Sequence, residues 1–300
     1  MKEKVATNTI QEDLKMADIL VTGANGFIGS HLVKSLKENI LKCDIMSEKN
    51  IISPKEALRQ IYKSKVSKVY HLGAISATTE TNIELISSTN ISFSSALLEA
   101  CLVKDIPFVY ASSASVYGLG ESGFSEKTMG NPINYYAISK MSFDMLAMQK
   151  IIDNPGSKII GLRYFNVYGR NEDHKSEMAS PVHKFLKQST EGNIKIFNGS
   201  EDFKRDFIHV NDVVDITNKS INFPSGIYNV GTGKEQSFLE VAKIISKITG
   251  ADIKQIRFPE HLIGKYQNFT CSDNSKIDKF YNKERISLED GIAEVANGKI

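Results

Sequence analysis

Tyr136 and Lys140 close the segment Tyr136-Ala137-Ile138-Ser139-Lys140, a spacing that puts both side chains on one face of a helix. A free phenol has a pKa of about 10 and is a poor base near neutrality. A neighbouring ammonium favours the phenolate, so the pair can take a proton from a substrate hydroxyl. Ser113 lies in Ala111-Ser112-Ser113-Ala114-Ser115-Val116-Tyr117-Gly118, just after an apolar run at 107–110. It supplies a hydroxyl to hold the group that the tyrosine deprotonates. Most Tyr-x-x-x-Lys pairs are solvated helix faces, so the weight of this one rests on what precedes it.

What precedes it is Ile19-Leu20-Val21-Thr22-Gly23-Ala24-Asn25-Gly26-Phe27-Ile28-Gly29, followed by Leu32, Val33 and Leu36 at helical spacing. An apolar strand enters a glycine-rich turn and leaves as a helix. Gly23 permits the tight turn, Gly26 lets a pyrophosphate approach the backbone, and Gly29 lets the helix pack close to its strand. Glycines also mark ordinary turns, but between a strand and a helix the pattern reads as dinucleotide binding. Further apolar runs at 69–72, 108–110 and 159–162 alternate with helical patterns. That alternation predicts an α/β fold: a doubly wound parallel sheet with helices on both faces.

The chain has 300 residues, 41% of them apolar, enough for one large domain or two unequal ones. A formal charge of +2 gives no reason to expect nucleic acid or an acidic membrane surface as partner. Cys43, Cys101 and Cys271 form no metal-spaced cluster and point to a reducing compartment, and no metal is expected. There is no uninterrupted apolar run of the length a membrane span needs, and no secretory signal pattern. Residues 1–16 read as a polar extension, with a short helix expected over 11–15.

The glycine turn and the Ser113/Tyr136/Lys140 set resemble the extended short-chain dehydrogenase/reductase superfamily of nucleotide-sugar enzymes, over residues 17–300. The second half narrows the resemblance. Arg163-Tyr164-Phe165-Asn166-Val167-Tyr168-Gly169, His174-Lys175-Ser176-Glu177-Met178-Ala179-Ser180, and the segments Phe197 to Phe207 and Leu262 to Thr270, with Ala77-Thr78-Thr79-Glu80, are similar to the ADP-L-glycero-D-manno-heptose 6-epimerase family. The resemblance implies a Rossmann-type domain over 17–165 with chain returns near 210–231, and a smaller α/β substrate lobe over most of 166–300. It implies a bacterial cytoplasmic homo-oligomer that binds a nucleotide-diphosphate sugar and holds one tightly bound NAD or NADP per subunit. The activity it implies is transient oxidation at C6 of the heptose, reorientation of the keto intermediate, and return of hydride to its other face.

By position, the resemblance makes Tyr136 the first acid/base group and Lys175 the second, with Ser113 orienting the reacting hydroxyl and Lys140 holding the cofactor ribose. It assigns Gly23, Gly26, Phe27, Ile28, Gly29, Leu72, Gly73, Ala74, Ile75, Ser76, Asn90, Val167 and Lys175 to the cofactor. It assigns Asn166, Glu177, Phe197, Asn198, Gly199, Ser200, Arg205 and Tyr266 to the substrate. An arginine such as Arg205 suits a diphosphate because its fork pairs with two oxygens. Phe197 and Tyr266 read equally well as packed core residues. Lys175 taken alone reads as a solvated lysine, a reading the resemblance turns in favour of function, and His209 reads as structural. Thr78 and Thr79 suit either the sugar pocket or a helix cap.

Two departures from the family pattern matter. Between Gly29 and His71 only one strand can be placed, near 40–45, so one outer strand is expected to be missing. The strand after the first crossover must pair with the first strand, which puts Asp44, 21 residues after Gly23, in the ribose-recognising place. A carboxylate there favours NAD over NADP, with Lys42 or Lys49 available to offset the repulsion of a 2′-phosphate. Glu177 stands where the family has a serine, and Lys184 where it has a histidine. Alternatives are a 4-epimerase or 4-dehydrogenase of another nucleotide sugar, or a non-catalytic binding member. A 4,6-dehydratase is excluded, since Ala114-Ser115 replaces the acidic pair its elimination needs.

Overall fold

A computed structural model describes residues 19–45, 51–63, 66–120, 124–259 and 267–298. The expected helix over 11–15, Lys49 and Tyr266 lie outside the described residues. Strand β1 (Ile19–Thr22) turns into α1 (Phe27–Ser35), and β2 (Ile40–Cys43), β3 (Ile51–Ile52), α2 (Pro54–Lys63) and β4 (Lys68–His71) follow. Then come α3 (Ile83–Ile86) and α4 (Ser94–Val103), joined by a π-helical turn at Ser87–Phe93 into one continuous helix. Next are β5 (Phe108–Ser113), α5 (Tyr135–Asp153) and β6 (Ile159–Tyr164). The remainder is β7 (Asn166–Tyr168), α6 (Pro181–Ser189), β8 (Asn193–Phe197), β9 (Lys204–His209), α7 (Val210–Lys219), β10 (Gly226–Val230), β11 (Glu235–Ser237), α8 (Phe238–Thr249), β12 (Asp252–Ile256) and α9 (Leu288–Asn297).

The seven-stranded sheet runs β10-β6-β5-β4-β1-β2-β3 and every pairing in it is parallel. The chain winds outward from β1 in both directions, so the order reverses between β1 and β4, where open α/β sheets bind ligands beyond the strand carboxyl ends. Both faces are covered, which is why the strands read as continuous apolar runs rather than alternating ones. Ile19, Val21, Tyr70, Val109, Ile160 and Leu162 pack with α1 and α7, whereas Leu20, Val69, Phe108, Tyr110 and Ile159 pack with α2, α4 and α5. A separate core of Tyr168, Val182, Leu186, Ile194, Phe207, Val241, Ile245 and Ile292 lies under α6, α8 and α9. It accompanies the small sheets β11-β9-β7 and β12-β8.

The expectation of a missing outer strand needs correction. β3 is present but reduced to two residues, with Lys42 opposite Ile51 and Cys43 opposite Ile52. Two β-branched residues are too short a run to read as a strand, and Pro54, which opens α2, ends the run. The helix spanning Ile83–Val103 is 21 residues long and apolar enough to cross a membrane by length and composition. Its Leu97, Leu98, Ala100 and Cys101 fill the sheet core, and packing accounts for that apolarity.

Candidate active site

A cleft of about 1360 Å³ opens beyond the carboxyl ends of β1, β4 and β5 and extends to β8 and α6. Its first wall is the glycine turn. Gly23 adopts φ +65°, and a Cβ there would stand 2.6 Å from the Gly73 nitrogen, so the loops after β1 and β4 meet this closely because position 23 is glycine. Gly26 precedes α1 without a side-chain cap, leaving the first N–H groups of the helix to face the cleft. The buried Asn25 amide nitrogen has no protein partner. Bare helix-end donors, an unpartnered amide and a close backbone approach fit the phosphates of a dinucleotide.

Asp44 stands one residue past β2, where the spacing put it. Its Oδ2 accepts from the Asn25 N–H at 2.9 Å and its Oδ1 from the Ile45 N–H at 2.8 Å, so it also shapes the glycine turn. Phe27, Ile28, Gly29, Leu72, Gly73, Ala74, Ile75, Ser76 and Val167 line the cleft as well. Beneath them, Thr22 Oγ1 accepts from the Gly73 N–H at 3.1 Å and bonds His71 Nδ1 at 2.6 Å, while His71 Nε2 bonds Ser94 Oγ at 2.8 Å. Burial, helped by the Lys140 charge, pushes His71 down to about 3, so it is neutral at physiological pH.

Asn90 is not brought to the cleft. It is 2% exposed and bonds the Ile75 backbone and the Ser139 side chain from the π-helical turn. Its Oδ1 accepts from the Ile75 N–H at 2.8 Å, and its Nδ2 donates to the Ile75 carbonyl at 2.9 Å and to Ser139 Oγ at 3.0 Å. It therefore braces the loop after β4 against the helix turn between Tyr136 and Lys140. Thr78 lines the cleft, and Asn82 rather than either threonine caps α3.

Ser113, Tyr136 and Lys140 meet at the cleft floor. Asn134 caps α5, its side chain accepting from the Ala137 N–H at 2.9 Å, and so fixes where the helix carrying the pair begins. Burial pushes the Tyr136 phenol up, and a hydrogen bond with Ser113 opposes that. Lys140 is 7% exposed and donates to the Ala111 carbonyl at 2.8 Å. Burial pushes it down to about 8, with Asp144 acting the other way. The expectation that the ammonium depresses the phenol is thus not met: the ammonium is turned to the Ala111 carbonyl, and burial sets the direction of the Tyr136 shift. Asp144, one turn further along α5, accepts from Tyr110, Ser112 and Arg163 at 2.9, 2.9 and 2.8 Å.

Lys175 also lines the cleft, its Nζ 4.5 Å over the Phe27 ring and 2.7 Å from Glu172 Oε2. Asn166 lines the cleft, and its Nδ2 donates to Thr270 Oγ1 at 2.8 Å and to the Asp206 carbonyl at 3.3 Å. Arg205 is 6% exposed, with its guanidinium 5.6 Å from the Phe238 ring centre. Phe197 and Ser200 line the cleft, whereas Asn198 and Gly199 form the turn behind it; the Asn198 N–H bonds the Ile256 carbonyl at 2.9 Å. Glu177 is at the mouth, its side chain 95% exposed, and Lys184 donates to its carbonyl at 2.7 Å. His209 caps α7 and serves structure. Sequence reasoning missed Asp144, His71 and Glu172; only the i,i+3 spacing of Glu172 and Lys175 hinted at a pairing.

The family model described as the NAD dependent epimerase/dehydratase family matches residues 19–231. The ADP-L-glycero-D-manno-heptose-6-epimerase of Brachyspira hyodysenteriae is 40% identical over 306 residues, covering 93% of this chain and 96% of that protein. Among solved structures, the ADP-L-glycero-D-manno-heptose-6-epimerase of Helicobacter pylori superposes with a TM-score of 0.82 at 28% identity, over 96% of this chain and 98% of that one. A Thermus thermophilus UDP-glucose 4-epimerase in complex with NAD gives 0.78 at 25% identity, over 93% and 97%. The match over most of the cofactor-side sheet, with a relative of near-equal length, leads to one conclusion: this chain belongs to the NAD-dependent epimerase/dehydratase family.

Proposed function

We propose that the protein is an NAD(P)-dependent nucleotide-sugar epimerase that inverts C6 of ADP-glycero-manno-heptose by transient oxidation and hydride return. One observation carries this reading: a hydrogen-bonded Ser113–Tyr136 pair and a second amine, Lys175, line the same cleft as the glycine turn. Inversion through a ketone needs acid/base groups for two substrate poses, because one fixed group addresses one geometry. The 40% identity to a named heptose epimerase supports the choice of sugar.

When bound, the nicotinamide dinucleotide supplies the hydride acceptor and donor. Gly23, Gly26 and the α1 N-terminus would hold its phosphates, Phe27 to Gly29, Leu72 to Ser76 and Val167 would border it, and Lys140 would hold its ribose. Asp44 sits where it can accept from ribose hydroxyls and repel a 2′-phosphate, which favours NAD. Ser113 hydrogen-bonds the C6 hydroxyl, and Tyr136 takes its proton as the phenolate, the phenol's own proton having first gone to solvent. After the keto group reorients, Lys175 donates a proton to the oxygen in the second pose. Arg205 pairs with the diphosphate, and Asn166, Phe197, Ser200, Glu177 and Tyr266 contact the remaining nucleotide sugar. Residues 17–165, with the return over 210–231, make the cofactor domain, and most of 166–300 makes the substrate lobe.

We further infer a homo-oligomer, supported by the exposed Ile138, Met145, Met148 and Ile152 along one flank of α5, working in a bacterial cytoplasm. The test offers ADP-heptose, UDP-glucose and UDP-N-acetylglucosamine to the purified protein and reads the product stereochemistry by proton NMR. Inversion at C6 of ADP-heptose alone is expected. Turnover of a UDP-hexose to its C4 epimer, with ADP-heptose untouched, overturns the reading in favour of a 4-epimerase.

A further inference from the structure

Three non-glycine residues among those described have positive φ, and two of them, Asn171 (φ 65°) and Ser176 (φ 46°), bracket the segment that carries Lys175. Ser176, with ψ −118°, lies outside the regions open to an L-residue. Such backbone persists only where its surroundings hold it, and it concentrates at functional sites.

Glu172 fastens the loop that contains both residues. The residue is wholly buried, at 0% exposure, and both carboxylate oxygens are engaged twice. Oε1 accepts from the Gly169 N–H at 3.2 Å and the Ser180 hydroxyl at 2.7 Å. Oε2 accepts from the Ser180 N–H at 2.8 Å and from the Lys175 ammonium at 2.7 Å. A buried carboxylate is tolerated when its lone pairs are all met, and here four donors meet them. Three of the four tie the two ends of the loop together. The fourth is the one that reaches the cleft.

A lysine ammonium is a point charge on a flexible stem, so its place must be imposed from outside. Glu172 imposes it from one side, and the Phe27 ring, 4.5 Å away, from the other. Glu172 is absent from the cleft lining, so its influence on bound substrate runs through Lys175.

We propose that Glu172 is the positioning residue for the second pose of the reaction: its carboxylate closes the Gly169 to Ser180 loop and holds Lys175 at the cleft before substrate arrives. The inference rests on Lys175 acting as the second acid/base group. Oxidation of one C6 epimer then draws on Tyr136 and oxidation of the other on Lys175, so damage to the Lys175 side must be one-sided.

The test compares Glu172→Gln, Glu172→Asp and Lys175→Met with the parent enzyme. Each is mixed with either C6 epimer of ADP-heptose, and the first oxidation is followed by the near-ultraviolet absorbance of reduced nicotinamide; thermal melting is recorded alongside. In Glu172→Gln the rate from one epimer is expected to fall about 100-fold, the cost of a misplaced reacting group. KM and the rate from the other epimer should stay within roughly threefold. Lys175→Met should show the same one-sidedness, and Glu172→Asp a milder form of it. Equal losses from both epimers in Glu172→Gln, with Lys175→Met one-sided, overturn the positioning role and leave Glu172 a loop fastener. Should Glu172→Gln not fold, Glu172→Asp decides by the same criterion. Symmetric losses in Lys175→Met overturn the reading of Lys175 itself.

Discussion

Lys140 donates to the Ala111 carbonyl at 2.8 Å while standing 6.0 Å from the centre of the Tyr136 ring. The lysine is thereby anchored to β5, beside Ser112 and Ser113, and burial brings it down to about 8 from an ordinary 10.5. In the free enzyme it loses its charge as pH rises through about 8. If the ammonium is needed for ribose binding or phenol ionisation, kcat/KM falls on the alkaline side with a limb near pH 8. Lys140→Arg should remove that limb at a lower plateau, and Lys140→Met should cost about 100-fold or more in rate. A profile flat to pH 10 in the parent enzyme, read by initial rates, would contradict this assignment.

His71 gives the fold a built-in acid sensitivity. Its ordinary value is 6.5 and burial lowers it to about 3 in the native protein, so between those values the unfolded chain binds a proton that the native chain does not. The stability it contributes is complete above pH 6.5 and is lost as pH falls toward 3, at about 1.4 kcal/mol per pH unit. His209, also lowered mainly by burial, acts in the same direction. Urea unfolding at pH 7 and pH 5 should show a smaller pH dependence in His71→Asn than in the parent. At pH 7 that variant should be about 1–3 kcal/mol less stable, since Thr22 and Ser94 lose their partner.

Asn90 joins the loop after β4 to α5 through three hydrogen bonds. Asn90→Ala leaves the Ile75 backbone unpaired in a buried setting, at a cost of about 1–3 kcal/mol. Because the brace acts on Gly73 to Ser76, calorimetry should also find NAD(P) affinity weakened by about tenfold. Loss of stability with affinity unchanged would mean that the brace serves the core alone.

Glu177 places an exposed carboxylate at the cleft mouth, close to Lys184. Glu177→Ser removes a negative charge from the approach of an anionic nucleotide sugar. KM for ADP-heptose should fall by about threefold to tenfold with kcat unchanged, and high salt should erase the difference. An unchanged KM at low salt counts against any role for this residue in substrate choice.

Legibility from sequence followed physical simplicity. The parallel sheet was readable because strands buried on both faces become continuous apolar runs, as in Ile19–Thr22 and the first three residues of β5. The glycine turn was readable because its conformation admits few side chains. Tyr136 and Lys140 were readable as a shared helix face, but nothing in their spacing tells which carbonyl the ammonium will choose. The two-residue β3 is recognisable only by its partner Lys42-Cys43. Asn90 sits behind the cleft because a π-helical turn redirects it, and a local sequence carries no signal for that. Glu172 is one acid in a polar loop, ordinarily solvated, and only the folded loop reveals the four donors around it.

The central claim is that inversion proceeds by oxidation at C6 and return of the same hydrogen to the opposite face. ADP-heptose deuterated at C6 tests it most directly, with the product examined by NMR and mass spectrometry after a single turnover in ordinary water. The account predicts an inverted C6 that still carries the deuterium, with no hydrogen taken from solvent. Inversion accompanied by loss of the label to water would contradict it, since the hydrogen would then have left as a proton.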